Sequence, residues 1–232
     1  MLPNNPTDGH GNNDITVIFG RKRTGKTTFI REQLPKYKRV IIFSDIRNDF
    51  AEQVQQSFYD LESFQVATMN GYWAQDKLCV RLKLPAVSQY NYAAAILKHL
   101  KHYLLVLDEL DTYCSSNYLP SQLEALIIGS GNNSINILGA AKRPYKTPRL
   151  LTSQADKFVI FQTREKRDVD YVNEWVGEQP PAPYSKLAKG HFLLFDGDNW
   201  KRGTVRIPGI TAGKAAVVPP PDPDTQREGV TV

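Results

Sequence analysis

Residues 20–27 read Gly-Arg-Lys-Arg-Thr-Gly-Lys-Thr and carry the clearest chemical signal in the chain. The spacing G-x-x-x-x-G-K-T is that of a P-loop, in which backbone N–H groups curl around a phosphate. A helix that begins at Lys26 adds a favourable dipole for the same anion. We expect Lys26 to reach the β- and γ-phosphates and the Thr27 hydroxyl to bind Mg²⁺. The pattern therefore predicts a site for a nucleoside triphosphate with Mg²⁺.

Two adjacent carboxylates, Asp108 and Glu109, follow the apolar run Leu-Leu-Val-Leu at 104–107. At a strand tip beside the P-loop, Asp108 can hold Mg²⁺ through Thr27 or water. Glu109 then points toward the γ-phosphate and can orient or deprotonate an attacking water. An acidic pair that stabilises a helix N-terminus is the plainer alternative. Downstream of a P-loop, the pair favours hydrolysis over simple nucleotide binding.

A basic segment follows a further apolar run at 134–141. Lys142 occupies the tip of this strand, where sheets of this class often place a sensor for the γ-phosphate. Arg143 is a candidate to act in trans at a subunit boundary. Alternatively, Lys142, Arg143, Lys146 and Arg149 form a solvated basic loop, or the loop contacts DNA phosphates. The sequence leaves these uses open.

The bulk properties fit one soluble α/β domain. The chain has 232 residues and a net charge of +5, a basic excess that permits nucleic-acid contact without requiring it. Cys79 and Cys114 do not form a metal-spaced cluster and indicate reduced thiols in a cytosolic setting. The N-terminus lacks the pattern of a signal peptide, and no apolar run is long enough to span a bilayer. We therefore expect no membrane span.

Short apolar runs alternate with helical patterns along the chain. The predicted strands are 15–19, 39–43, 64–68, 77–84, 103–107, 134–138, 158–161 and 191–195. The predicted helices are 26–34, 45–56, 90–99, 120–128 and 166–175. This alternation predicts an α/β fold with a mostly parallel sheet, helices on both faces and ligands at the carboxyl ends of the strands. Residues 64–84 are expected to add strands to this nucleotide fold, as an edge strand or a small hairpin.

Composition divides the chain into three parts. Residues 1–14 are rich in Asn, Pro, Gly and Asp and predict a flexible N-terminal arm. Residues 15–210 form the predicted ATPase domain. Residues 211–232 become Ala-, Pro- and Asp-rich and predict a flexible tail.

The order of these segments resembles a known family. A strand with G-x-x-x-x-G-K-T, then L-L-V-L-D-E, then I-N-I-L-G-A-A-K-R-P is similar to the FtsK–HerA superfamily of ring ATPases, which have a RecA-like P-loop NTPase fold. Within it, the chain most resembles the genome-packaging ATPases of membrane-containing, double-jelly-roll (tectivirus-like) viruses. The stretch 149–161, with Asp168 shortly after, is similar to the family's segment beyond the sensor strand. The resemblance covers roughly residues 15–176.

The resemblance implies a homo-oligomeric, hexameric ring that hydrolyses ATP to move double-stranded DNA into a preformed capsid. It implies host cytoplasm or the packaging vertex of the virion as the location, and capsid vertex proteins as further partners. Asp108 would be the Mg²⁺ carboxylate and Glu109 the catalytic base. The nucleotide loop would comprise Gly20, Arg21, Lys22, Arg23, Thr24, Gly25, Lys26, Thr27 and Thr28.

The chain departs from the superfamily at two places. Lys142 stands where members often have Gln, and Gly131-Asn132-Asn133 replaces a turn that often carries an arginine. The arginine that acts in trans therefore has three candidates, Arg143, Arg149 and Arg164.

Two rival functions stay open. A phage assembly or secretion ATPase shares the motifs, but such proteins usually carry a membrane segment. A small-molecule kinase would use Arg164, Lys166 and Arg167 as lid cations, but it needs no hydrolytic carboxylate after its magnesium aspartate. A GTPase is disfavoured because the sequence has no guanine-specific Asn-Lys-x-Asp element.

Overall fold

A nine-stranded sheet organises the residues that the computed structural model describes, 13–44 and 50–207. Its spatial order is β3-β4-β2-β5-β6-β1-β7-β8-β9. Strands β1 to β7 run parallel, and β8 and β9 are antiparallel additions beside β7. The mostly parallel sheet is therefore confirmed. The strands are β1 Ile15–Phe19, β2 Arg39–Phe43, β3 Gln56–Phe58, β4 Leu78–Leu82, β5 Tyr103–Leu107, β6 Ile135–Ala141, β7 Lys157–Ile160, β8 His191–Phe195 and β9 Trp200–Thr204.

Helices cover both faces of this sheet, as predicted. Side chains alternate along β1, so that Val17 and Phe19 enter one core and Ile18 enters the other. The second core contains Phe29 and Ile30 of α1, whereas the larger first core contains residues of all five other helices. The helices are α1 Lys26–Gln33, α2 Leu61–Met69, α3 Val87–Leu97, α4 Ser121–Ile128, α5 Arg149–Ser153 and α6 Lys166–Val176.

The strand order brings the chemically interesting segments to one edge. Strand β6 lies between β5 and β1, and Phe19 at the end of β1 is level with Ala141 of β6. On the other side of β6, Leu107 is level with Gly139. Because parallel strands end at the same edge, the P-loop, Asp108 and Lys142 follow neighbouring strands there.

Two element predictions were wrong. Residues 64–68 lie inside α2, because the Asp60 carboxylate caps that helix by accepting from the backbone N–H of Ser63 at 2.7 Å. Only Phe64 of this helix is buried, and the apolar Val66 and Met69 are exposed, so the apolar run 64–68 is not a buried strand. The predicted helix 45–56 falls partly on residues 45–49, outside the described residues. Its remainder forms turns, and β3 begins at Gln56.

The predicted strand at 77–84 exists as β4, but it is internal and not an edge strand or a hairpin. Strand β3 covers one side of it and β2 the other. Its Arg81 is buried, with the guanidinium Nε donating to Ser57 Oγ at 3.2 Å. The sequence pattern did not reveal this partner because β3 has only three residues.

The first described residues, 13 and 14, belong to the predicted N-terminal arm and contact the domain. Asn13 donates to the Gly131 carbonyl at 2.6 Å, and Asp14 pairs with Lys157. Most of the predicted arm, residues 1–12, and the whole predicted tail lie outside the described residues.

Candidate nucleotide site

The P-loop adopts a backbone that its two glycines permit. Gly20 and Gly25 have φ values of 149° and 120°, which L side chains rarely adopt. Space is also restricted. A Cβ on Gly20 would lie 2.6 Å from Phe161 Cβ, and one on Gly25 would lie 2.8 Å from Val205 Cγ2. The loop thus requires glycine at both positions for conformation and for close packing.

Lys26 folds back over this loop. Its Nζ donates to the carbonyls of Gly20 at 2.7 Å and Arg21 at 3.0 Å. Burial lowers the pKa of Lys26 to about 8, and the nearby charge of Asp108 opposes that shift. The Lys26 ammonium therefore lies over the loop, near the carboxylate of Asp108.

The first turn of α1 suits an anion. Helix α1 begins at Lys26, and among the described residues no side chain caps it. Its first turn carries no acidic residue, while Arg21, Lys22 and Arg23 are exposed on the preceding loop. Free N–H groups at a helix N-terminus, surrounded by cations, fit a polyphosphate.

The predicted base and sensor form an ion pair. Glu109 Oε1 lies 3.0 Å from Lys142 Nζ, and both side chains are about 30% exposed. Glu109 adopts the left-handed conformation, with φ 59° and ψ 63°. A non-glycine residue in this region costs on the order of 1–3 kcal/mol, and such strain gathers at functional sites. The turn after β5 thus aims Glu109 toward the strand that carries Lys142.

The Thr27 hydroxyl, on the second residue of α1, and the Asp108 carboxylate supply the oxygen ligands that Mg²⁺ prefers. Asp108 is buried, 8% exposed, directly after β5, and its N–H donates to the Phe43 carbonyl. Within residues 13–44 and 50–207, no group of three His, Cys, Asp or Glu side chains forms a metal cage. Mg²⁺ with a nucleotide needs no such cage, because it retains waters and phosphate oxygens beside one or two protein oxygens.

Arg143 is held by carboxylates of its own chain. Its Nε lies 3.1 Å from Asp168 Oδ2, and its Nη2 pairs with Glu165. Asp168 is 3% exposed and also accepts from the backbone N–H of Tyr145 at 3.4 Å. Burial raises the pKa of Asp168, whereas Arg143 and that N–H act in the opposite direction. The predicted role of Arg143 in trans would require it to leave these partners.

The other candidate arginines are more exposed. Arg149 is 72% exposed and lies 3.7 Å from Glu174, and Arg164 is exposed at the surface. Neither contacts the P-loop among the interactions of the described residues. Their roles stay predictions.

Sequence reasoning missed one part of the site, which is the segment that flanks the antiparallel hairpin β8–β9. The Gly190 N–H donates to the Thr24 carbonyl at 2.9 Å, and the Val205 N–H donates to the Gly190 carbonyl at 2.8 Å. A glycine immediately before the predicted strand 191–195 was the only signal available. Strand β9, with Lys201 and Arg202, gave no apolar run to predict it.

Comparison with solved structures identifies the fold. The genome packaging NTPase B204 of Sulfolobus turreted icosahedral virus 2, in complex with sulfate, superposes with a TM-score of 0.68 at 16% identity. The match covers 85% of this chain and 98% of that one. The same protein in complex with ATP-γS gives 0.65 at 18% identity, over 84% and 98% of the two chains. This chain has the fold of these NTPases.

A secretion protein shares the fold more distantly. EccC of Thermomonospora curvata (ATPases 2 and 3), in complex with a signal sequence peptide, gives a TM-score of 0.53 at 10% identity. That match covers 82% of this chain and 36% of EccC. No protein-family model and no curated protein matches the chain. The RecA-like P-loop fold and the resemblance predicted from the sequence are confirmed at the level of fold.

No helix within the described ranges is long and apolar enough to cross a membrane.

Proposed function

We propose that this protein is an ATP-hydrolysing motor that moves double-stranded DNA and packages a viral genome into a preformed capsid. The observation that carries the ATPase is the arrangement of three neighbouring strand ends. Lys26 follows β1, the Lys142–Glu109 pair joins β6 to β5, and Asp108 interacts electrostatically with Lys26. An activating carboxylate, a metal carboxylate and a phosphate-binding lysine are the parts that phosphoryl transfer to water requires.

Each residue has a distinct role in this proposal. Lys26 exchanges the loop carbonyls for phosphate oxygens, and the free N–H groups at the start of α1 bind the β-phosphate. Thr27 and Asp108 hold Mg²⁺, which when bound neutralises charge on the β- and γ-phosphates. Glu109 orients the attacking water and accepts its proton.

Lys142 has to change partner before Glu109 can act. Its Nζ now contacts Glu109 Oε1, so one cation neutralises the proposed base. In the proposed cycle, Lys142 turns from Glu109 to the γ-phosphate when the nucleotide arrives. Glu109 then becomes free to accept a proton. A lysine at this position can therefore link nucleotide binding to activation of the base.

The DNA part of the proposal rests on resemblance and charge. B204, the DNA-packaging ATPase from Sulfolobus turreted icosahedral virus, matches this chain with a TM-score of 0.63 at 18% identity. The chain has a net charge of +5, and exposed Lys146 and Arg149 lie after β6, in the connecting loop and at the start of α5. We propose a homo-oligomeric, hexameric ring that docks on capsid vertex proteins, in the host cytoplasm or at the packaging vertex of the virion.

A secretion or assembly ATPase is the second candidate, because EccC also shares the fold. ATP hydrolysis separates the two functions when it is measured with and without linear duplex DNA, together with electron microscopy for rings. A packaging motor should hydrolyse ATP only with Mg²⁺ and faster with duplex DNA. Mg²⁺-dependent hydrolysis that is indifferent to DNA of any form would contradict the DNA part alone. Phosphoryl transfer to a small acceptor instead of water would indicate a kinase.

A further inference from the structure

The P-loop contacts the two residues that flank the hairpin β8–β9, Gly190 and Val205, and these two residues are hydrogen-bonded to each other. Thr24 is buried, and its carbonyl accepts from the Gly190 N–H at 2.9 Å. Gly190 in turn accepts from the Val205 N–H at 2.8 Å. Val205 packs against Gly25 so closely that a Cβ on that glycine would lie 2.8 Å from Val205 Cγ2. Residues just before β8 and just after β9 therefore hold the centre of the loop.

The hydrogen bond at Thr24 fixes the direction of a peptide group in the loop. A trans peptide is planar, so its C=O and N–H point in opposite directions. Because the Thr24 carbonyl points at Gly190, the Gly25 N–H points away from the hairpin. The orientation of this donor is therefore linked to a hydrogen bond from outside the P-loop motif.

Aromatic packing makes the support rigid. The ring centroid of Phe192 in β8 lies 5.1 Å from that of Phe29 in α1 and 5.4 Å from that of Phe161. Phe161 itself packs against both loop glycines. The hairpin, the first helix and the end of β7 thus form one apolar block beneath the loop.

We propose that Gly190 and Val205 are positioning residues for the nucleotide phosphates, acting through the Thr24–Gly25 peptide. This inference rests on the proposed ATP binding. The left-handed backbone conformation of Gly190, with φ 81°, is part of this support of the P-loop. A Cβ there would lie 2.8 Å from the Val205 carbonyl oxygen, so any side chain would push the two residues apart. Displacements of about 1 Å in such a site cost on the order of 10²-fold in rate.

The test compares substitutions of two residues that contact the P-loop with a substitution in the adjoining hairpin that does not. Gly190→Ala and Val205→Ala disturb the support. Leu194→Ala is the matched control, because Leu194 is 3% exposed in the same core but lies four residues from Gly190 and pairs with Lys201 rather than with Val205. Val205→Thr keeps the shape of the side chain. Each protein is measured for its dissociation constant for a fluorescent ATP analogue and for its Tm.

We expect Gly190→Ala and Val205→Ala to weaken nucleotide binding by about tenfold or more. Leu194→Ala should lower the Tm and leave the dissociation constant within about twofold. Val205→Thr should bind nucleotide like the wild type even where its Tm falls, and it keeps the test decisive if Gly190→Ala does not fold.

Two outcomes would overturn the inference. One is wild-type affinity in Val205→Ala. The other is an equal loss of affinity in Leu194→Ala at the same Tm, because the hairpin would then act only through general stability. Failure of the wild-type protein to bind nucleotide would contradict the proposed function itself and is distinguishable from both.

Discussion

The two sides of the candidate site are held by different kinds of interaction. On the P-loop side, main-chain hydrogen bonds fix the loop, from the Arg21 N–H to the Gln162 carbonyl and from the Gly190 N–H to the Thr24 carbonyl. On the carboxylate side, the proposed base is held by a side-chain ion pair with Lys142. The P-loop side is therefore held by main-chain hydrogen bonds, whereas the carboxylate side depends on an ion pair that can change partner.

Magnitudes support this difference. A buried main-chain hydrogen bond contributes about 0.5–1.5 kcal/mol net, and leaving its partner unsatisfied costs about 1–3 kcal/mol. A partly exposed ion pair such as Lys142–Glu109 contributes about 0–1 kcal/mol. A phosphate can replace Glu109 as the partner of Lys142 at little cost, whereas it cannot reshape the loop. In the proposed function, nucleotide binding and activation of water therefore rest on different contacts.

Removal of the phosphate-binding cation should have the largest effect. Lys26→Ala leaves the loop carbonyls of Gly20 and Arg21 without their donor and removes the charge above the loop. We expect ATP hydrolysis to fall at least ~10³-fold, with loss of measurable nucleotide binding. Lys101→Ala, at an exposed lysine before β5 and so at the opposite end of the strands, is the control and should stay near wild type. Equal effects of the two substitutions would contradict a special role for Lys26.

The carboxylate side should affect turnover without affecting binding. Glu109→Gln removes the proton acceptor but preserves the shape of the side chain. We expect kcat to fall by about 10²–10⁴-fold while the affinity for ATP stays within a few fold. Single-turnover hydrolysis and equilibrium binding measure the two quantities separately. A protein that loses both together would show that the two sides are not independent.

Replacement of Lys142 sharpens the comparison further. Lys142→Ala should lower kcat by about 10²-fold, because one donor to the developing charge is lost. Lys142→Gln is the matched variant, since it retains a donor at the position where related ATPases often carry Gln, and it should be less impaired. In a double-mutant cycle, Lys142→Ala should add little to Glu109→Gln, because the residues act as a pair. Additive losses would contradict the pairing.

The pKa of Lys26 gives the next smaller effect. Burial lowers this pKa to about 8, whereas phosphates favour the charged form. Between about pH 8 and 10, nucleotide binding must therefore be accompanied by proton uptake, and affinity should fall by up to about tenfold per pH unit. In the same window the free protein binds fewer protons than its unfolded chain at this site, so this group alone makes stability rise with pH. Titration with an ATP analogue across this range measures the first effect, and Lys101→Ala should follow the wild-type profile. An affinity independent of pH would contradict the lowered pKa.

The Arg143 cluster should have the smallest effect on nucleotide binding. Asp168→Ala removes the buried partner of Arg143 and of the Tyr145 N–H. We expect the free energy of unfolding to fall by about 1–3 kcal/mol, with unchanged affinity for ATP. Urea unfolding and nucleotide binding measure these two outcomes. Weakened ATP binding without loss of stability would show that this cluster takes part in nucleotide binding and is not only structural.

Local patterns were enough to predict much of this protein. The spacing of Gly20, Gly25 and Lys26 identified the loop because backbone geometry and phosphate binding impose those residue types on neighbouring positions. Short β-branched and apolar runs identified most strands, since a strand buried on both faces has to be continuously apolar. Errors arose where a neighbour distant in sequence decided the outcome. Strand β4 was misjudged because β3 covers it, and the Phe64 segment because Asp60 caps a helix there.

The sequence by itself determined the P-loop spacing, and it predicted which residues bind phosphate and metal and which activate water. Only the tertiary structure decided how they are held. It paired Glu109 with Lys142, enclosed Arg143 between carboxylates of its own chain, and set Gly190 and Val205 against the P-loop. These contacts join residues 22 to 180 positions apart. No local pattern records them, because they depend on the order in which the strands assemble into the sheet.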